Sequence, residues 1–370
     1  MIREGMTLES HFFSAWDDIV ARLGGAHGLS ASAKATGACQ RWKKIKNGAV
    51  LLRLVLAYCL SEFSLRGVCA WACGAELVDI ANPSFLERLF NCENWLRLLV
   101  ARELAKASPG SAQGRLIRLV DGTSVCKAEA AAKKQSNLWR IHSVYDLPAN
   151  RFSFFELTDE KIGERLDMAP VAPGEIRIGD RCYLQPERMA AVIAKGGDLV
   201  VRAAWTNARW VDKAGALVNV VEILRKNSRK GKVDVPIWIA CKSGKLIGVR
   251  LVAIKKPQEQ ALAAQREVIV AALKRNKQAS KDALEAATWV IIATTLAQSE
   301  FDADEILGLY RLRWRIELAF KKLKSVIGLK RPPNKDGRSA RVWVLAHLLM
   351  ILLVEPLASE LDVSPRKMAA

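Results

Sequence analysis

The sequence predicts an α/β protein: a mixed sheet core with carboxylate-ended strands, preceded by an all-helical segment and interrupted by a basic, β-rich insertion. Three observations carry this. Residues 1–106 are dense in alanine and leucine, with apolar residues at helical spacing. After Ser108-Pro109-Gly110-Ser111 the pattern changes to short apolar runs, several ending in Asp. The charge is also uneven. The chain of 370 residues carries 57 Lys and Arg against 38 Asp and Glu, a net +19. Between Arg202 and Lys281 alone there are 18 against 5, or +13.

Each element has a local reason. In the helical segment, Ser84 and Glu87 have capping-box spacing and open a helix carrying Phe85, Leu86, Leu89, Phe90, Trp95, Leu96 and Leu99. The basic run Arg41-Trp42-Lys43-Lys44-Ile45-Lys46 falls between two helices, as a solvated loop or a contact to a DNA backbone. Apolar runs and alternation predict strands over 116–121, 138–146, 152–157, 176–180 and 198–203, with helices over 161–166 and 186–195. Three further strands, 218–224, 233–241 and 246–254, are separated by polar turns and followed by a helix over 258–273. A buried strand over 288–295 leads to a helix that opens at Asp302 with Glu305 as its capping partner and stops at Gly328. The expected division is a helical domain at 1–106, a core at 107–205 and 287–335, a basic insertion at 206–286, and a C-terminal helical segment at 336–370.

Composition removes several classes of function. A 51% hydrophobic content with 11 Trp supports a packed core and excludes bulk disorder. The excess of cations calls for a polyanion, nucleic acid before membrane surface. The first residues mix charges without an apolar run, unlike a signal peptide. The longest uncharged apolar run, 342–354, is too short to span a bilayer and fits a buried helix. The eight Cys are scattered without a C-x-x-C pair, which argues against a zinc module and for reduced thiols in the cytoplasm. P-loop, dinucleotide-binding and H-E-x-x-H patterns do not occur.

The helix expected from Asp302 carries the most informative spacing. Tyr310, Arg313, Glu317 and Lys324 fall within an arc of about 60° at helical periodicity. Leu312, Ile316, Ala319, Phe320, Leu323 and Ile327 form a separate apolar stripe. A carboxylate therefore sits among cations at the edge of a buried face.

Tyr310-x2-Arg313-x3-Glu317-x6-Lys324 resembles the Y-R-E-K signature of the bacterial insertion-sequence-four transposases. Val120-Asp121-Gly122-Thr123 is similar to their first-Asp strand. Gly179-Asp180-Arg181-Cys182-Tyr183 is similar to their second-Asp motif, with Cys182 where Gly is common. The residues 141–148 and 157–159 also resemble the family's stretch between the two Asp motifs, and the likeness spans about residues 40–350.

The resemblance implies a ribonuclease-H-like core interrupted by a β-strand insertion. It implies a DDE triad of Asp121, Asp180 and Glu317 holding two Mg2+ ions, with Mn2+ as a substitute. In that scheme Asp121 bridges both ions, Asp180 completes one site and Glu317 the other. Paired hard cations suit phosphoryl transfer, and carboxylate oxygens suit Mg2+. The resemblance further implies DNA contacts from Tyr310, Arg313, Lys324 and Arg181. Trp289 is either a base-stacking residue or a core residue of its strand; Trp314 and Trp343 are expected in the core or in helix packing. The implied activity is cleavage and strand transfer at the ends of a mobile element, through a hairpin, by a homodimer on double-stranded end and target DNA, in the bacterial cytoplasm at the nucleoid and away from membranes. The alternatives are a decayed transposase that only binds DNA and a ribonuclease-H-like nuclease of other purpose.

Overall fold

A computed structural model describes residues 16–106, 115–126, 138–147, 149, 151–159, 161–317 and 336–360. Six helices come first: α1 (Trp16–Arg22), α2 (Gly25–Ala35), α3 (Gly48–Leu60), α4 (Leu65–Gly74), α5 (Asn82–Asn91) and α6 (Glu93–Ala105). Helix α3 is apolar nearly all round and correspondingly buried; its first turn is capped by Asn47, which accepts from the Val50 N–H at 3.0 Å. The expected Ser84–Glu87 capping box does not form. Pro83 is well suited to a first helical turn, so α5 starts earlier, at Asn82, and Ser84 lies inside it. What the spacing presented as one helix is two, joined at Cys92.

Nine strands form one mixed sheet: β1 (Ile117–Cys126), β2 (Leu138–Asp146), β3 (Arg151–Asp159), β4 (Ile176–Gly179), β5 (Asp198–Ala203), β6 (Trp210–Val211), β7 (Lys232–Ala240), β8 (Leu246–Lys255) and β9 (Trp289–Thr294). The order is β3-β2-β1-β4-β5-β9-β8-β7-β6. The antiparallel meander β1-β2-β3 beside parallel β1, β4 and β5 is consistent with a ribonuclease-H-like core. The strands of the basic segment do not stand apart from it. They extend the same sheet, β8 pairing with β9 from Arg250–Thr294 to Lys255–Trp289.

Side chains alternate across this sheet with period two. Leu119, Ile178, Val200, Val252 and Ile292 join the core under the helices, whereas Val120, Leu199, Val201, Leu251, Ile291 and Ala293 join a second core on the opposite face. The first core is shared with the last helix, α12 (Gly337–Glu360), numbered here after α7 (Pro186–Ala194), α8 (Val220–Lys226), α9 (Gln258–Leu273), α10 (Lys281–Ala287) and α11 (Ala303–Arg311). Helix α12 packs on α6, α3 and α5, and the Arg341–Glu93 ion pair at 2.9 Å ties it to α6. The window Gly337–Val354 is long and apolar enough to cross a membrane, but 78% of it is buried inside the fold. Its apolarity is that of a core helix, and Trp343 lies in that core as expected.

Two other expectations fail for local reasons. Residues 218–224 were expected as a strand, yet Asn219 accepts from the N–H groups of Val221 and Glu222 and caps α8 there. Residues 161–166 form turns, not a helix. Arg177, fully buried on β4, donates to the carbonyls of Leu166, Ala169 and Pro170 and pairs with Glu175, so this stretch is held as an irregular loop against the sheet.

Candidate active site

Parallel pairing of β1 and β4 fixes the geometry of the two aspartates. Ile117 is opposite Ile176 and Leu119 opposite Ile178. The offset of 59 positions is also that between Asp121 and Asp180. Carried two residues further, the same register sets Asp121, midway along β1, beside Asp180, just past the carboxyl end of β4. Asp180 lies just past β4 in extended conformation and caps a short 3-10 turn, Arg181–Tyr183, accepting from the Cys182 N–H at 2.8 Å. Asp121 remains within β1, and its Oδ1 accepts from the Gly122 N–H at 2.9 Å.

A third carboxylate, Glu164, comes from the irregular loop. Oxygens of Glu164 and Asp180 and the Sγ of Cys182 all lie within 4.8 Å of one another, and the Cys182 thiol donates to Glu164. Burial pushes the Asp121 carboxyl up to about 6; the Gly122 N–H opposes this, the charges of Glu164 and Asp180 add to it, and Arg313 opposes it. These groups share one electrostatic neighbourhood.

Helix α11 opens as expected: Asp302 accepts from the Glu305 N–H at 2.8 Å and Glu305 accepts from the Asp302 N–H at 2.7 Å. It does not run unbroken to Gly328. Past Arg311 the backbone tightens, with the N–H groups of Leu312, Arg313, Arg315 and Ile316 each bonding three residues back, and helix resumes over 314–317. Tyr310 and Arg313 are therefore stacked, the guanidinium 5.9 Å from the ring centroid, and Arg313 pairs with Glu317 at 2.6 Å. Glu317 reaches the aspartates through Arg313. Ile316 is buried on the other side, so the separation of polar and apolar stripes survives the break. Lys324 lies outside the described residues.

The two tryptophans part ways. Trp289 is buried in the core of β9, 3% exposed, and its indole N–H donates to Glu285 at 3.0 Å, which fits the core role of its two expected roles and not the base-stacking one. Trp314, expected in packing, is 63% exposed, because at helical spacing it falls on the face opposite the stripe of Leu312 and Ile316. It lines a cleft of about 690 Å3 together with Tyr310, Arg313, Arg202, Lys255 and Lys256, among others, and among the described residues no carboxylate lines that cleft. Burial lowers the Lys256 ammonium below its ordinary range, and the like charges of Arg202 and Arg181 push it the same way. Arg181, next to Asp180, does not line the cleft, although its charge is felt at Lys256.

Glu164 and Asp180 bring carboxylate oxygens close enough together to suit a hard divalent cation such as Mg2+, with Asp121 in the same electrostatic neighbourhood. Sequence reasoning missed Glu164, Arg202, Lys256 and Trp314. Glu164 gives no periodic signal, since it sits in a loop, whereas the exposure of Trp314 was available from helical spacing, which sets it opposite the apolar stripe.

Comparison with known proteins follows the same lines. The model of a family described as the transposase DDE domain matches residues 112–353. The chain is 35% identical over 359 residues to InsL, named as a transposase for insertion sequence element IS186A of Escherichia coli strain K12, covering 95% of this chain and 96% of that protein. It is also 35% identical over 360 residues to the transposase for insertion sequence element IS421 of Escherichia coli, with the same coverage.

Proposed function

Because the chain belongs to the transposase DDE-domain family, we propose that it cuts the ends of its own insertion sequence and joins them to target DNA, with Asp121, Asp180 and Glu317 as the catalytic carboxylates. The observation that carries this is the register of β1 and β4, which sets two aspartates side by side, with the Arg313–Glu317 pair close to the first.

Asp121, Asp180 and Glu317 would hold two Mg2+ ions, or Mn2+ in their place, and bound ions of this kind would supply activation of the attacking hydroxyl and charge neutralisation at the leaving oxygen. The chain's own residues do the rest. Tyr310, Arg313, Lys324 and Arg181 hold phosphate oxygens near the cleavage point, Arg by paired N–H donors. Arg313 then exchanges its contact with Glu317 for a phosphate, which frees the carboxylate. Trp314 takes the aromatic role at the DNA surface, where a base stacked on it would contribute about 1–3 kcal/mol. The strands and helices of 206–286 form the basic flank of the cleft, and a hairpin step and a homodimeric synapse complete the reading.

The test is a labelled element end incubated with Mg2+. Asp121→Ala, Asp180→Ala and Glu317→Ala each abolish nicking while end binding, measured by gel shift, stays within about threefold of the parent. Near-normal nicking by any one of them overturns the triad. A parent protein that binds ends but never nicks them in Mg2+ or Mn2+ favours the decayed, binding-only alternative.

A further inference from the structure

We propose that Glu164 is a fourth carboxylate of the active site, a direct ligand that shares a divalent cation with Asp180. The proposal rests on the transposase reading above and adds a residue that the DDE triad does not contain.

Three features support it. The first is proximity. Glu164, Asp180 and Cys182 offer ligand atoms that all lie within 4.8 Å of one another, a span one cation can bridge. Asp121 stands just outside this group but within its electrostatic reach.

The second feature is how the carboxylate is held. Arg177 is fully buried and gathers the carbonyls of Leu166, Ala169 and Pro170, which fixes the loop just after Glu164. The Gln185 amide donates to the Glu164 carbonyl at 2.8 Å. At the other end, a Cβ on Gly122 would meet Glu164 Oε1 at 2.7 Å, so the residue after Asp121 has no side chain where the Glu164 carboxylate lies. A surface glutamate needs none of this; a ligand needs a fixed position.

The third is charge balance. The nearest cation to Glu164 is Arg140, at 3.9 Å the outer limit of an ion pair. Arg313, whose charge acts on Asp121, is engaged with Glu317. Beside these acids the Tyr183 hydroxyl is buried with no hydrogen-bond partner among the described residues, although it feels the charges of Glu164, Asp121 and Asp180. The donors to these acids are backbone N–H groups and a thiol, with Arg140 only at the outer limit of pairing, so their charge is left largely unbalanced beside an orphaned hydroxyl, as a cation and its bound water would require.

The experiment is Mn2+ binding to the full chain without DNA, read as loss of the free-ion electron paramagnetic resonance signal. Glu164→Gln, which keeps the shape and removes the charge, weakens Mn2+ binding tenfold or more, with the melting temperature in EDTA unchanged. Asp180→Asn and Asp121→Asn are measured alongside. If these two weaken Mn2+ binding while Glu164→Gln stays within twofold of the parent, Glu164 is a structural partner of Cys182 and the proposal falls, with the transposase reading intact. If none of the three moves Mn2+ binding, the carboxylate site itself fails. A Glu164→Gln protein whose melting temperature drops in EDTA while Mn2+ affinity holds also overturns the proposal.

Discussion

At Asp121 ionisation and folding pull in opposite directions. Burial is the main cause that holds its carboxyl up at about 6; the Gly122 N–H and Arg313 pull it down, and the Glu164 and Asp180 charges push it up, without undoing the effect of burial. An unfolded Asp titrates near the ordinary 3.8, so between that value and about 6 the folded state binds more protons than the unfolded one. Stability from this group is present below pH 4 and is lost as pH rises through 6. Asp121→Asn removes the ionisation, and is therefore expected to stabilise the metal-free protein by about 2 kcal/mol at pH 7.5. The gain shrinks towards zero near pH 4. Thermal melts in EDTA across that range check it; a destabilised variant at pH 7.5 contradicts it. A group that weakens the fold at working pH is held in place by function, not by packing.

At the scale of elements, the tryptophans separate packing from binding. Trp289 is buried in β9 and bonded to Glu285, so Trp289→Ala is expected to cost about 3–5 kcal/mol of stability. Trp314→Ala, at an exposed position in the basic cleft, is expected to leave the melting temperature unchanged and weaken end-DNA affinity roughly 5- to 150-fold, the equivalent of one stacked base. Melting and DNA titration of both variants check the pair, and equal loss of stability in both would remove Trp314 from the interface. The same residues show what was legible in sequence. Apolar runs bounded by polar turns placed β4, β5, β7 and β8 within a residue or two, because such runs report burial. The aspartate pair was legible because each Asp ends an apolar run. The break after Arg311 was not, since apolar periodicity continues through it and a tightened turn costs little pattern. Nor was Glu164 legible: its position depends on Arg177, a buried cation within a strand, satisfied by carbonyls more than six residues upstream.

Over the whole molecule the charge of +19 resolves into a direction. The basic segment is stitched into the sheet through β8 and β9, which brings Lys255 and Lys256 to the same cleft as Arg202, Arg313 and Trp314. The Arg41–Lys46 run lies elsewhere, in the helical layer, and Lys44 there is solvent-exposed and loosely paired with Asp79 at 3.5 Å. This distinguishes a specific cleft from general basicity. Arg202 lies close enough to Lys256 to push its ammonium down, a repulsion that folding tolerates and a phosphate would relieve. Arg202→Gln should therefore weaken end-DNA binding and lower the slope of log affinity against log salt by about 1, the share of one phosphate contact. Its melting temperature should hold or rise slightly, since a like-charge contact is lost. Lys44→Gln should change the slope by much less. The titration is run from low to moderate salt on end DNA and on unrelated DNA of equal length. An unchanged slope for Arg202→Gln, or an equal drop for Lys44→Gln, would mean that the charge acts as a diffuse field; the predicted contrast means that the fold concentrates it where the carboxylates can reach the strand.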